Sequence, residues 1–154
     1  MKKLLLIVLL LPFFVNANEL VFKLLEVNGA KAFFAQSKGQ MAKVMYMTDP
    51  SLKPYSGLVE KWEADYFSWE KVKLSIAPIY ASKFTNSELE EIVNFYTTGK
   101  PDSFLVTNTG KKFQSLLPEI NQEFTMNGHK YMSHVSPFLY EAVSNSTKSL
   151  KQDK

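Results

Sequence analysis

Apolar residues return at steps of three and four along nearly the whole chain, a spacing that predicts helices and no sheet. From Glu19 to Val27, Leu20, Leu24 and Val27 share a face, and Asn28-Gly29 ends the segment where a positive φ is easily reached. From Ala30, Phe33, Phe34, Met41, Val44 and Met45 continue the helical spacing until Asp49-Pro50 and Lys53-Pro54 break it into a loop. A helix starting near Pro54 carries Leu58, Trp62, Tyr66, Trp69, Val72, Ile76 and Ile79 as one stripe, which Pro78 should kink or divide. Thr85-Asn86-Ser87-Glu88 has the form of a capping box, and the helix it opens buries Leu89, Ile92, Val93 and Tyr96 before stopping at Gly99-Lys100-Pro101. Asp102 to Gly110 reads as a connector with room for one helical turn through Phe104 and Val106. The last segment runs from Lys111 to about Ser144, with Phe113, Leu116, Leu117, Ile120, Phe124, Tyr131, Val135, Phe138, Leu139 and Ala142 apolar. Pro118, Gly128 and Pro137 should bend or split it. The expectation is an all-α, single-domain irregular bundle of five or six helices.

The first seventeen residues break this rhythm. Lys2 and Lys3 precede an apolar stretch of twelve residues from Leu4 to Val15, and Val15-Asn16-Ala17 supplies the small-x-small pattern of a signal-peptidase site. The stretch is shorter than the ~20 residues a membrane span needs, and Pro12 interrupts it. Residues 1–17 therefore read as a cleaved signal peptide, 18–145 as the helical domain and 146–154 as a disordered Lys-rich tail. The expected location is the periplasm or the extracellular space, with no stable membrane span after cleavage. The absence of a Cys near the cleavage point rules out a lipid-anchored lipoprotein.

Composition narrows the chemistry. The chain has no Cys, which removes disulfides, thiolate metal sites and thiol catalysis together, so stability has to come from packing. Twelve Phe, seven Tyr and two Trp supply the apolar surface for a core. The formal charge of +3 overstates the folded body, because Lys2 and Lys3 leave with the leader and Lys148, Lys151 and Lys154 sit in the tail. Every basic side chain is Lys; without the planar two-pronged grip of Arg, sequence-specific nucleic-acid binding is disfavoured.

No polar set converges on a reaction. His129 and His134 are five residues apart, which on a helix turns them about 140° from each other, away from the four-residue spacing of zinc helices. Only a break at Gly128 would bring them together, with Glu123 or Glu141 as a third ligand. Ser133 beside His134 is a sequence neighbour and lacks a nucleophile-elbow context. Glu60, Glu63, Asp65 and Glu70, or Glu88, Glu90 and Glu91, could supply a carboxylate pair, but both groups alternate with apolar stripe positions and read as solvated faces. Asn108-Thr109-Gly110-Lys111-Lys112 lacks the first glycine of a phosphate loop. Asn145-Ser146-Thr147 fits a glycosylation acceptor but lies in the tail. Phe33, Phe34, Met41 and Met45, with Met47, form a soft apolar face that serves either as core or as a groove for a partner helix, an unfolded segment or an acyl chain.

The run Ala77-Pro78-Ile79-Tyr80-Ala81-Ser82-Lys83-Phe84-Thr85-Asn86-Ser87-Glu88-Leu89, followed by Phe95-Tyr96-Thr97-Thr98, resembles a family of secreted bacterial proteins grouped as domain of unknown function 2059. Tyr80, the Phe84-Thr85-x-x-Glu88-Leu89 cap and the Phe95-Tyr96 pair carry the likeness, and Lys111-Lys112-Phe113 to Leu117-Pro118-Glu119 resembles the family's next helix. The resemblance covers roughly residues 70–125. Gly99 to Gly110 departs from it by about ten residues, either as an insertion or because the correspondence shifts there. It implies an exported helical domain with no catalytic or cofactor-binding residues assigned. The same residues have a sufficient physical reading as a helix cap and core. Taken together, the expected function is a non-enzymatic module binding an envelope protein or a hydrophobic ligand, with self-association through the last helix also open. The alternative is a cell-envelope hydrolase using a carboxylate pair.

Overall fold

The computed structural model describes residues 11–152, and the side chains of 18–149. Among the described residues there are eight α-helices and no strand: α1 (Leu11–Val27), α2 (Ala30–Gln36), α3 (Gln40–Thr48), α4 (Ser56–Tyr66), α5 (Trp69–Ala81), α6 (Asn86–Thr98), α7 (Pro101–Leu105) and α8 (Asn108–Gln152). A 3-10 helix, Pro50–Tyr55, occupies the expected loop before α4. The all-α expectation holds, but the count is eight instead of five or six.

Each difference in count has a local cause. The stretch from Ala30 divides because Gly39 adopts φ 80°, a left-handed value that ends one helix and starts another. The long stripe from Leu58 to Ile79 divides at Phe67, where φ −110° and ψ 39° leave the helical path. That turn sets the Phe67 ring edge-on to both Trp62 (5.1 Å) and Tyr131 (5.5 Å). Pro78, by contrast, does not divide α5, because Ala77, Ile79 and Tyr80 around it are all buried and hold the helix in place. Pro118, Gly128 and Pro137 likewise leave α8 continuous; Ile120, Val135 and Leu139 anchor it with at most 1 % exposure. Packing here overrides a proline cost of ~3 kcal/mol. α8 also runs on to Gln152 and so includes part of the stretch expected as a disordered tail. Most of the expected leader, residues 1–10, lies outside the described residues.

The described residues divide into two compact units, where the sequence suggested one domain over 18–145. Unit 1 joins the residues up to Lys31 to Ile76–Phe124; unit 2 joins Ala32–Ser75 to the residues from Thr125 on. Both are discontinuous in sequence, so no composition shift marks their boundaries.

In unit 1, α1 packs on α6. The expected face of α1 is rotated slightly: Val21, Leu24 and Leu25 are fully buried, whereas Leu20 and Val27 are half-buried. Ala77, Ile79, Tyr80, Phe84, Leu89, Ile92, Val93, Phe104, Phe113 and Ile120 are the buried apolar side chains of the rest of this unit. In unit 2, Ala42, Met45, Leu52, Val59, Trp62, Val135 and Leu139 form the core cluster, with Met41, Tyr46, Tyr66, Phe67, Tyr131, Met132 and Val143 packed around it. No helix among the described residues is long and apolar enough to cross a membrane.

Candidate functional site

The capping motif of α6 forms as its sequence dictates. The Thr85 hydroxyl accepts from the amide of Glu88 (3.3 Å), and the Glu88 carboxylate accepts from the amide of Thr85 (2.8 Å). The same carboxylate takes two hydrogen bonds from Lys112 Nζ, each 2.8 Å, tying α6 to the first turns of α8. Lys112, then the Thr85 amide, hold Glu88 below the usual carboxylate range. Lys112 also lies 5.2 Å from the centre of the Phe84 ring.

Around this cap the aromatic residues make a connected set. Phe84 and Tyr96 both pack on Phe113, Phe95 stacks on Phe104 at 4.5 Å, and Tyr80 meets Phe124 edge-on. Burial pushes the Tyr80 hydroxyl up to about 12 and raises that of Tyr96. Tyr80, Phe84, Thr85, Glu88, Leu89, Phe95 and Tyr96 thus work as cap and packing. Lys83, its side chain only 9 % exposed, bridges Glu119 (2.6 Å) and Glu123 (2.8 Å) of α8. Those two hydrogen bonds raise its pKa.

The segment from Gly99 to Gly110 is a built connection. Gly99 caps α6 in the left-handed region, Pro101 opens α7, and Phe104 is buried. Thr107 caps α8: its hydroxyl accepts from the Gly110 amide (2.9 Å) and donates to the Phe104 carbonyl (2.8 Å). A Cβ at Gly110 would sit 2.1 Å from that carbonyl oxygen, so only glycine fits. A shallow cleft of about 260 Å³ opens over this connection. Glu91, Asn94 and Thr98 line one side of it, with Lys100, Ser103 and Thr107 on the other and Phe95 and Phe104 between. The hydroxyls of Thr98, Ser103 and Thr107 donate to main-chain carbonyls within one turn, so the cleft turns its hydroxyl donors inward.

Residues 70–99 match the family model described as "Uncharacterized protein conserved in bacteria (DUF2059)". No curated protein and no solved structure matches the chain. The matched segment runs through α5, the capping box and α6, and ends at Gly99, where the expected departure begins. The likeness expected from Gly99 to about 125 lies beyond the match.

Unit 2 sorts the expected groove residues by burial. Met45 is in the core at 4 % exposure, and Met41 is half-buried against that core. Phe34 is half-buried, its ring 5.7 Å from Trp69, while Phe33 is 72 % exposed. Val44 and Met47 join Phe33 among the exposed apolar residues. The four predicted residues therefore do not line one open surface.

Several of the remaining candidates take structural roles. The Glu63 carboxylate accepts from the amides of Gly39 (2.7 Å) and Ala42 (3.0 Å) and so caps α3 from α4. Sequence spacing hides this cap, since its parts lie more than twenty positions apart; the one local clue was a helix starting at glycine without a capping side chain. Lys61 pairs with Asp65. His129 and His134 are exposed, and the Ser133 hydroxyl donates to the His129 carbonyl. Among the described residues no group of three acids or histidines is placed to hold a metal ion. Asn145-Ser146-Thr147 lies inside α8, with the Thr147 and Tyr55 hydroxyls 3.0 Å apart.

Proposed function

We propose that this is an exported, non-enzymatic module that docks another envelope protein through exposed apolar positions of unit 2. The observation that carries the reading is α2. Five of its seven residues are apolar, yet it buries none of them. On α3, the face turned away from the Met45 core presents Val44 (47 % exposed) and Met47 (84 % exposed). Covering side chains such as Phe33 and Met47 is worth about 1.5–3 kcal/mol each, a reserve the described chain leaves unused. Export is supported by Lys2, Lys3, the apolar run to Val15 and the cleavage pattern at Ala17. A binding role is favoured over a carboxylate-pair hydrolase because, of the candidate acids, Glu63 and Glu88 serve as helix caps and Asp65 and Glu70 pair with Lys61 and Lys73.

The test is site-specific photocrosslinking in living cells. A crosslinking residue at 33 or 47 should give one discrete adduct, and one at the exposed Val106 of unit 1 should not. Phe33→Asp with Met47→Asp should abolish the adduct made from position 44 while leaving the helical signal unchanged. Equal adducts at all positions, or none at 33 and 47, would defeat the proposal. Fractionation of the same cells tests export.

A further inference from the structure

In α1 the residue preferences and the observed helix disagree. Asn16 and Asn18 lie in the middle of a continuous helix from Leu11 to Val27, although Asn is a poor interior residue and a good helix start. Asn18 and Glu19 are exposed, and Val21, Leu24 and Leu25 are fully buried. The bond between Ala17 and Asn18 thus sits about one turn upstream of the buried Val21. Cutting it leaves Val21, Leu24 and Leu25 in the chain.

We infer that Asn18 changes role when the leader is removed, from a mid-helix residue in the uncut chain to the N-cap that starts α1 in the cut one. This rests on the export reading above. In the cut chain the Asn18 side-chain oxygen is positioned to accept from the amide of Leu20 or Val21, as capping residues do. Glu19 falls in the first turn, where its charge suits the helix dipole and offsets the new α-ammonium. The chain uses the same device elsewhere, with Asp49, Thr85 and Thr107 accepting from amides two or three positions on. The residues just after the scissile bond therefore encode the helix start that the folded unit 1 needs once the leader is gone.

The experiment compares the uncut chain, made in an export-free translation system, with the processed chain purified after export. The intact mass of the exported protein should begin at Asn18. Asn18→Ala should then act with opposite sign in the two forms. It should raise the melting temperature of the uncut chain, because Ala is the better interior residue, and lower that of the cut chain by about 2–4 °C, because the cap is lost. Asn18→Ser should leave the cut chain near wild type. An exported chain that is uncut, or that begins elsewhere, overturns the export reading and the inference with it. A chain that begins at Asn18 but shifts the same way in both forms overturns the cap and leaves the export reading standing.

Discussion

In unit 1 the polar contacts between helices are ion pairs, Lys83 to Glu119 and Glu123 and Lys112 to Glu88. In unit 2 they run largely from side chains to main chain. Trp62 Nε1 donates to the Val135 carbonyl (2.8 Å), the Asn127 amide to the Ser75 carbonyl (2.9 Å), and the Tyr131 hydroxyl to the Tyr66 carbonyl. Tyr66 ends α4, so its carbonyl is one of those a helix terminus leaves without an internal partner. Unit 2 thus leans on side chains that reach main-chain groups, the α4 end at Tyr66 among them, which demands good packing. Unit 1 uses charge, which depends on pH and salt. Both tryptophans, Trp62 and Trp69, lie in unit 2, so their fluorescence reports that unit while circular dichroism reports both.

The largest expected effect comes from breaking the packed donor. Trp62→Ala removes a 4 % exposed ring from the unit 2 core together with its hydrogen bond, and should cost about 3–5 kcal/mol. Urea titration followed by the remaining Trp69 fluorescence would read it. Gly110→Ala is the counterpart in unit 1. The new methyl meets the Phe104 carbonyl, and forcing atoms into so tight a site typically costs about 1–3 kcal/mol. Its loss should appear in the dichroism transition and leave the tryptophan midpoint closer to wild type. Equal shifts in both probes would show that the two units unfold as one.

What could be read from sequence follows the range of the interactions. The capping box at Thr85 and Glu88 is four residues long and was fully legible, as was the αL stop at Gly99. The helical period also held for Trp62, Ile79, Phe113, Ile120, Val135 and Leu139, all buried as their spacing required. The division of the chain was not legible, because each unit joins segments that local pattern cannot connect. Nor could spacing decide whether Met45 faced a core or a groove, since both need an apolar stripe. Thr107 and Gly110 carry a local signal of the α8 cap, a Thr three residues before a Gly.

A comparison of the two kinds of cap gives a smaller effect. Thr85→Ala removes a local cap in unit 1 and should cost about 1 kcal/mol. Glu63→Ala removes a carboxylate that serves two amides of α3 and should cost about 1–2 kcal/mol. Chemical denaturation of the two variants side by side tests the order. If the Glu63 variant were the milder, the contact across helices would add nothing to a local one.

The smallest effect separates the units by pH. Glu88 has a folded pKa below its unfolded value, so its contribution is present above the ordinary carboxylate pKa of ~4.3 and is lost as pH falls through the lower, folded value. Lys83 behaves in the opposite sense. Its folded pKa is raised, so its contribution is complete below the ordinary lysine value of ~10.4 and disappears as pH rises through the higher, folded one. Asp49, which caps the 3-10 helix of unit 2, is also lowered, chiefly by the Ser51 hydroxyl, but it holds a single local turn. Acid should therefore weaken the dichroism-detected transition before the tryptophan-detected one. Glu88→Gln should flatten the dichroism response to acid and leave the fluorescence response in place. If the substitution moves both probes together, the Lys112 bridge stabilises more than unit 1, and the contrast between charged and neutral contacts would not map onto the two units.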